Sequence, residues 1–378
     1  MFSPQNKDIA QMKTKGRVAL FLLVFLCVFF LYCSDKSENV KKTSDFMIGV
    51  KIYEYQGNLE KLFKEWISLR INTAFVSEAL LSNREFRDLA KKNSIKIFVI
   101  FPVFYDSDSL KRNPDLYAIT DKGEIAKEEW VEFVCPTREE FRTQKITDIK
   151  RIVQEFSPDG ISIDFIRYFV FWEKVYPDRT LNSIPNTCFD SHCLNAFEQK
   201  TGILIPQELT ATAQKADWIK TNALPEWVEW KCSVITRMVK DITEAAKAIK
   251  PDIMTNVHAV PWRANDFGGA ARIVTGQDLT AISPYVDFIS PMCYSHMVKR
   301  PPSWISTVVN DMSGRTQSKI LPSIQVKEAY LTDTISINEF KNALIEALKA
   351  PSEGVIFWSW DALEKDPQKK DVIRNLIK

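Results

Sequence analysis

From residue 46 to the carboxyl terminus, short apolar stretches alternate with amphipathic ones, and the alternation runs through eight rounds. The short stretches fall at residues 47–53, 73–76, 96–102, 160–165, 253–258, 286–294, 320–325 and 354–358. They carry the period-2 or continuous apolar pattern of strands. Between them, apolar residues recur three and four apart. Leu62, Phe63, Trp66 and Leu69 share one helical face, and so do Ile146, Ile149, Val153 and Phe156. A helix that crosses the sheet brings the next strand back parallel to the last, and eight such units are the number that closes a barrel. An open doubly wound sheet is the competitor, but it usually has fewer strands and a glycine-rich first turn. The chain has 11 glycines and neither a GxGxxG nor a Walker pattern. The expected fold is α/β: a (β/α)8 TIM barrel over residues 46–378. A long aromatic and proline-bearing insertion, residues 169–225, follows the fourth strand.

That fourth strand carries the most informative residue. Ile161, Ile163 and Phe165 alternate with Gly160, Ser162 and Asp164, so one face is apolar and the other small or polar. A carboxylate on the inner face of a barrel strand is costly unless it faces an open cleft or has a partner. Arg167 is the nearest partner in sequence. A structural Asp164–Arg167 pair is the plain reading; a strand-end carboxylate that does chemistry is the one the barrel favours, because function gathers at the carboxyl ends of barrel strands.

The other strand ends supply Glu54, Glu78, Asp106, His258, Tyr294 with His296, Gln325 with Glu328, and Asp361. Converging carboxylates suit glycoside hydrolysis, which needs one carboxyl as acid and a second as nucleophile or base. Aromatics offer flat faces to sugar rings, and Phe169, Phe171, Trp172, Trp262, Trp358 and Trp360 lie on or just beyond strand ends. Other classes fit less well. His192, His258 and His296 are the only histidines, with no HxH or HxxxH spacing for a metal. No GxSxG elbow marks a serine hydrolase. A net charge of +2 without a basic stripe gives no case for nucleic acid. No cofactor is expected.

At the amino terminus, Lys7, Lys13, Lys15 and Arg17 precede an apolar run over residues 18–33. The run is shorter than the roughly 20 residues of a membrane span and has the layout of an export signal. It ends Leu31-Tyr32-Cys33, similar to a bacterial lipoprotein signal in which Cys33 is lipidated; an uncleaved anchor is the alternative. Residues 34–45 are polar and lysine-rich, as a tether should be. The chain thus divides into a signal or anchor (1–33), a linker (34–45) and the barrel, exported and membrane-tethered at the cell envelope. Of the remaining cysteines, Cys188 and Cys193 form a C-x4-C pair, a weak zinc signal without a second pair, and an oxidising compartment permits their disulfide. Cys135, Cys232 and Cys293 are expected as buried free thiols.

Cys135-Pro-Thr-Arg138 before a helix, followed by Asp159-Gly-Ile-Ser-Ile-Asp-Phe-Ile-Arg-Tyr168, resembles the family 10-like glycosylhydrolases, many of them exported lipoproteins. The segments Cys188–Phe197, Asp287–Tyr294 and Gly354–Trp360 agree with that resemblance, which covers residues 46–378. It implies a TIM barrel and a glycosidase with the strand-four aspartate, Asp164, at its centre. The expected site has Asp164 as nucleophile or charge stabiliser, kept ionised by Arg167, and Glu328 as acid/base, with Glu78 and Asp361 behind it. Trp172, His258, Tyr294, His296, Gln325 and Trp358 are expected to hold sugar. The rival is a non-catalytic glycan-binding envelope lipoprotein on the same scaffold. A second carboxyl roughly 5–9.5 Å from Asp164 favours catalysis.

Overall fold

The computed structural model describes residues 46–377; Cys33, the signal or anchor segment and the linker lie outside them. Strand one (Met47–Ile52) lies parallel between strand two (Thr73–Val76) and strand eight (Gly354–Trp358). Strands three (Lys96–Pro102), four (Gly160–Asp164), five (Met254–Ala259) and six (Phe288–Pro291) follow in chain order, all parallel. Strand seven comes in two pieces. Lys319–Ile320 pairs with strand six and Ser323–Gln325 with strand eight, which closes the eight-stranded barrel. Pro322 explains the break, since it has no N–H to give the ladder. Its carbonyl still accepts from Ile356 N at 2.9 Å, so the seam holds.

The two faces of the strands build two cores. Ile48, Val50, Ile161, Ile163 and Val257 point outward and are buried against the helices. Phe75, Phe98, Ile100, Phe288, Leu321 and Ile356 form a separate cluster that plugs the barrel interior. Gly160 makes room for that plug, because a Cβ there would meet the Phe98 ring at 2.4 Å. Towards the carboxyl ends of the strands the interior turns polar. Asn256 donates to Ser162 Oγ at 2.9 Å and accepts from Ser290 at 2.7 Å, and His258 Nε2 lies 3.0 Å from Ser162 Oγ. Each hydroxyl or amide finds its partner within the layer, so burial costs little.

Two regions differ from expectation. Residues 107–136, a charge-rich stretch that reads in sequence as a long loop, hold a short helix (Ser107–Arg112), a 3-10 turn (Pro114–Leu116) and a two-stranded hairpin. Asp106 caps the helix by accepting from Ser109 N at 2.9 Å, and Pro114 begins the turn. The insertion after strand four folds into helices Ser191–Thr201 and Thr212–Asn222 and runs directly into Leu224–Lys247. Among the described residues no helix is long and apolar enough to cross a membrane.

Candidate active site

Asp164 ends strand four with its side chain in the barrel mouth, 7% exposed. Its Oδ1 accepts from the Phe165 amide at 2.7 Å, and Lys51 Nζ lies 3.9 Å from Oδ2. Burial acts to raise this carboxyl; His258, Lys51, the Phe165 amide and Arg167 together bring it below the ordinary carboxylate range. His258 is itself held neutral, since burial and then the Lys51 charge push its imidazole down to about 3. Among the described residues, Lys51 is the cationic side chain within ion-pair distance of Asp164.

Arg167 is not the ion-pair partner that sequence spacing suggested. Its guanidinium lies over the Phe133 ring at 4.7 Å and the Phe165 ring at 5.4 Å, and Nη2 donates to Val170 O at 3.4 Å. The chain leaves strand four through Phe165 in a left-handed conformation (φ 50°), which turns the segment away from the strand axis. Fixed spacing along an extended strand does not survive that turn.

Sequence reasoning missed a second carboxyl within electrostatic reach of Asp164. Glu173 lies in a 3-10 turn, Trp172–Lys174, early in the insertion. It is nearly buried, and its Oε2 has no hydrogen-bond partner among the described residues. Burial raises it to about 7; Arg167 and its own backbone amide oppose the rise, and the charge of Asp164 adds to it. Glu173 also acts electrostatically on Tyr294 and on Tyr330, in the loop after strand seven. Two carboxyls whose surroundings push them in opposite directions are the pattern of an acid paired with an anion. A lone glutamate in an aromatic insertion has no periodicity that marks it, so only the folded insertion reveals it.

Of the other expected carboxylates, one shares the cleft with Asp164. Glu78 lines the same cleft as Asp164, a cavity of about 480 Å³ that also takes in Tyr53, Tyr105, Lys145 and Arg151. Its charge is met by Arg151 at 2.7 Å. Glu328 is half-buried after strand seven and makes no hydrogen bond or ion pair among the described residues. Asp361 is exposed and accepts from the Ser359 hydroxyl.

Several expected sugar contacts are internal supports. Trp172 is fully buried and packs on Tyr294 at 5.8 Å, so it is core and not a platform. Phe169, Phe171, Trp262 and Trp360 are buried as well. Gln325 accepts from Met297 N at 3.1 Å and donates to Lys327 O at 2.7 Å. His296 spends Nδ1 on Glu339 at 2.9 Å and Nε2 on Asp333 O at 2.8 Å. His258 is buried in the polar layer. Tyr294 is buried too, its hydroxyl 3.3 Å from Ser323 Oγ, and it supports Trp358, which stacks on it at 4.5 Å and remains half-open. Among the described residues the exposed aromatics are Tyr53, Trp130 and Tyr330. The Trp130 indole donates to the Tyr330 hydroxyl at 2.7 Å, so the strand-three hairpin meets the loop after strand seven. Tyr105 bridges inward, stacked on Phe165 at 4.8 Å and edge-on to Trp130 at 5.7 Å.

No family model matches the sequence, and no curated protein matches it. Solved structures do. The glycoside hydrolase domain of PgaB from Bordetella bronchiseptica is 11% identical with a TM-score of 0.65, the match covering 88% of this chain and 99% of that one. A β-galactosidase from Marinomonas ef1 is 10% identical with a TM-score of 0.66, over 88% of this chain and 59% of the enzyme. An α-L-fucosidase from Paenibacillus thiaminolyticus is 11% identical with a TM-score of 0.54, over 88% of this chain and 49% of the enzyme. Such low identities speak to the fold: the chain is a TIM barrel of the kind glycosidases use.

Proposed function

We propose that the chain is a glycoside hydrolase acting on a polysaccharide or oligosaccharide, with Asp164 as the anionic carboxylate and Glu173 as the proton donor. The observation that carries this reading is the opposed pair: Asp164 held ionised beside Lys51, and Glu173 raised to about 7 by burial in the field of Asp164. A group that must protonate a leaving oxygen near neutral pH is best poised there. Asp164 stabilises the positive charge that develops on the sugar ring or attacks its anomeric carbon. Lys51, buried 3.9 Å from the carboxylate, helps to keep it charged. Trp358, Tyr53, Trp130 and Tyr330 offer ring faces to flanking sugar units. The amino-terminal pattern, lying outside the described residues, supports work at the cell envelope through a tether at Cys33.

The test is a panel of aryl glycosides and polysaccharides with the full-length chain and its Asp164→Asn and Glu173→Gln variants. Glu173→Gln is expected to lose about 10²–10⁴-fold on substrates whose leaving group needs a proton. It should lose far less on activated aryl glycosides, which leave unprotonated. Asp164→Asn should fail on both. Binding of glycan without turnover by the wild type across the panel would replace this reading with a glycan-binding protein.

A further inference from the structure

Away from the cleft, four groups from separate segments converge. Cys135, in the turn before helix Glu139–Phe156, meets Cys188, Asp190 and Cys193 of the insertion. All are buried, with their sulfur or carboxylate oxygen atoms within 4.8 Å of one another. The surroundings suit sulfur anions. The Ile119 amide donates to Cys188 Sγ at 3.2 Å. Thr137 Oγ lies 3.1 Å from the sulfur of Cys135 and 3.1 Å from that of Cys193. Cys193 sits in the first turn of helix Ser191–Thr201, where Asp190 caps its amide. Arg138 adds a cation: Nη2 is 2.8 Å from Asp190 Oδ2, and its Nε is buried without a hydrogen-bond partner.

We infer that Cys135, Cys188, Cys193 and Asp190 bind a structural zinc ion. Zinc–sulfur bonds of ~2.3 Å place tetrahedral ligands ~3.8 Å apart, within the spread these atoms already show. Sulfur-rich donors select zinc over harder divalent ions. The four groups fill the coordination sphere, and none of them lines the cleft that holds Asp164, so the site is closed and holds the fold. Asp190 can serve while bonded as it is. Its Oδ1 accepts from Cys193 N at 2.6 Å and its Oδ2 from Arg138, and each carboxylate oxygen keeps a second lone pair. Three thiolates and a carboxylate exceed the charge of a divalent ion, and Arg138 offsets part of that excess. Binding releases the thiol protons and clips the insertion to the turn before helix Glu139–Phe156. Sequence spacing shows only Cys188-x4-Cys193; Cys135, more than fifty residues upstream, completes the set in space.

The measurement is the metal content of the full-length chain purified from zinc-supplemented medium and passed over a weak chelator. One zinc per chain is expected, with Cys135, Cys188 and Cys193 protected from thiol reagents until the metal is stripped. Cobalt replacement should give the intense near-ultraviolet bands of cobalt-bound thiolate. Asp190→Asn should lose zinc to a competing chelator at least tenfold faster while circular dichroism stays native; Cys232→Ser, outside the cluster, should retain it. A folded wild type without stoichiometric zinc, or a peptide map with a disulfide joining any two of the three cysteines, would overturn the proposal. Neither result depends on whether the cleft hydrolyses sugars.

Discussion

Lys51 and Asp164 are each expensive to bury and are affordable together. Burial pulls the Lys51 ammonium down and the Asp164 charge pulls it back up. Removing one partner leaves the other as an uncompensated charge, at a cost of about 3–5 kcal/mol. Lys51→Met should therefore lower the melting temperature and move the acidic limb of the activity profile upward, because Asp164 then protonates more readily. Asp164→Asn should also lower the melting temperature, because Lys51 loses its partner, while the amide still accepts from Phe165 N. Glu173 gives the opposite signature. Its folded pKa of about 7 stands above the ~4.3 of an unfolded glutamate, so its contribution is fully present below that value and is lost as pH rises through about 7. Glu173→Gln should raise the melting temperature relative to wild type at pH 8 and leave it nearly unchanged at pH 4.5. A variant that loses activity while gaining stability only at high pH marks a carboxyl kept protonated for use. Equal melting shifts at both pH values would mean that Glu173 is packing alone.

At the scale of elements, the insertion is bound to the barrel by aromatic packing beneath the mouth. Trp172 packs on Tyr294, with no surface open to a ligand. Trp172→Ala should cost about 3–5 kcal/mol of stability, the range for deleting a large buried ring. Any loss of glycan affinity should track the loss of folded protein in titrations paired with thermal melts. Trp130→Ala tests the contrary case. Its ring is exposed, so affinity should fall with little change in melting. The seam between strands one and eight is stricter. Gly354 has φ 143°, and a Cβ there would lie 2.0 Å from Met47 O. Gly354→Ala should leave little soluble folded chain, because the clashing atoms all belong to the Met47 backbone and cannot turn aside.

For the molecule as a whole, the described barrel accounts for almost the full length of the PgaB glycoside hydrolase domain but little more than half of the β-galactosidase. The amino-terminal pattern is tested separately. If Cys33 is lipidated, Cys33→Ser should move the protein out of the membrane fraction or leave an uncut signal, read by fractionation and intact mass. Membrane-bound protein that still carries residues upstream of 18 would favour the uncleaved anchor.

Periodicity alone placed all eight strands close to where they lie and predicted barrel closure, because burying one face of a strand and one stripe of a helix is a local demand written residue by residue. It also singled out Asp164, whose charge breaks an otherwise consistent inner face. It misplaced most of the site. Residues at strand ends look alike in sequence whether they open to the cleft, as Trp358 does, or turn inward to brace a loop, as Gln325 and His296 do. Glu173, Lys51 and the convergence of Cys135 on Cys188 and Cys193 depend on segments that only the closed barrel brings together. Their chemistry is set by burial and by neighbours across the fold, and no local pattern encodes a neighbour a hundred residues away.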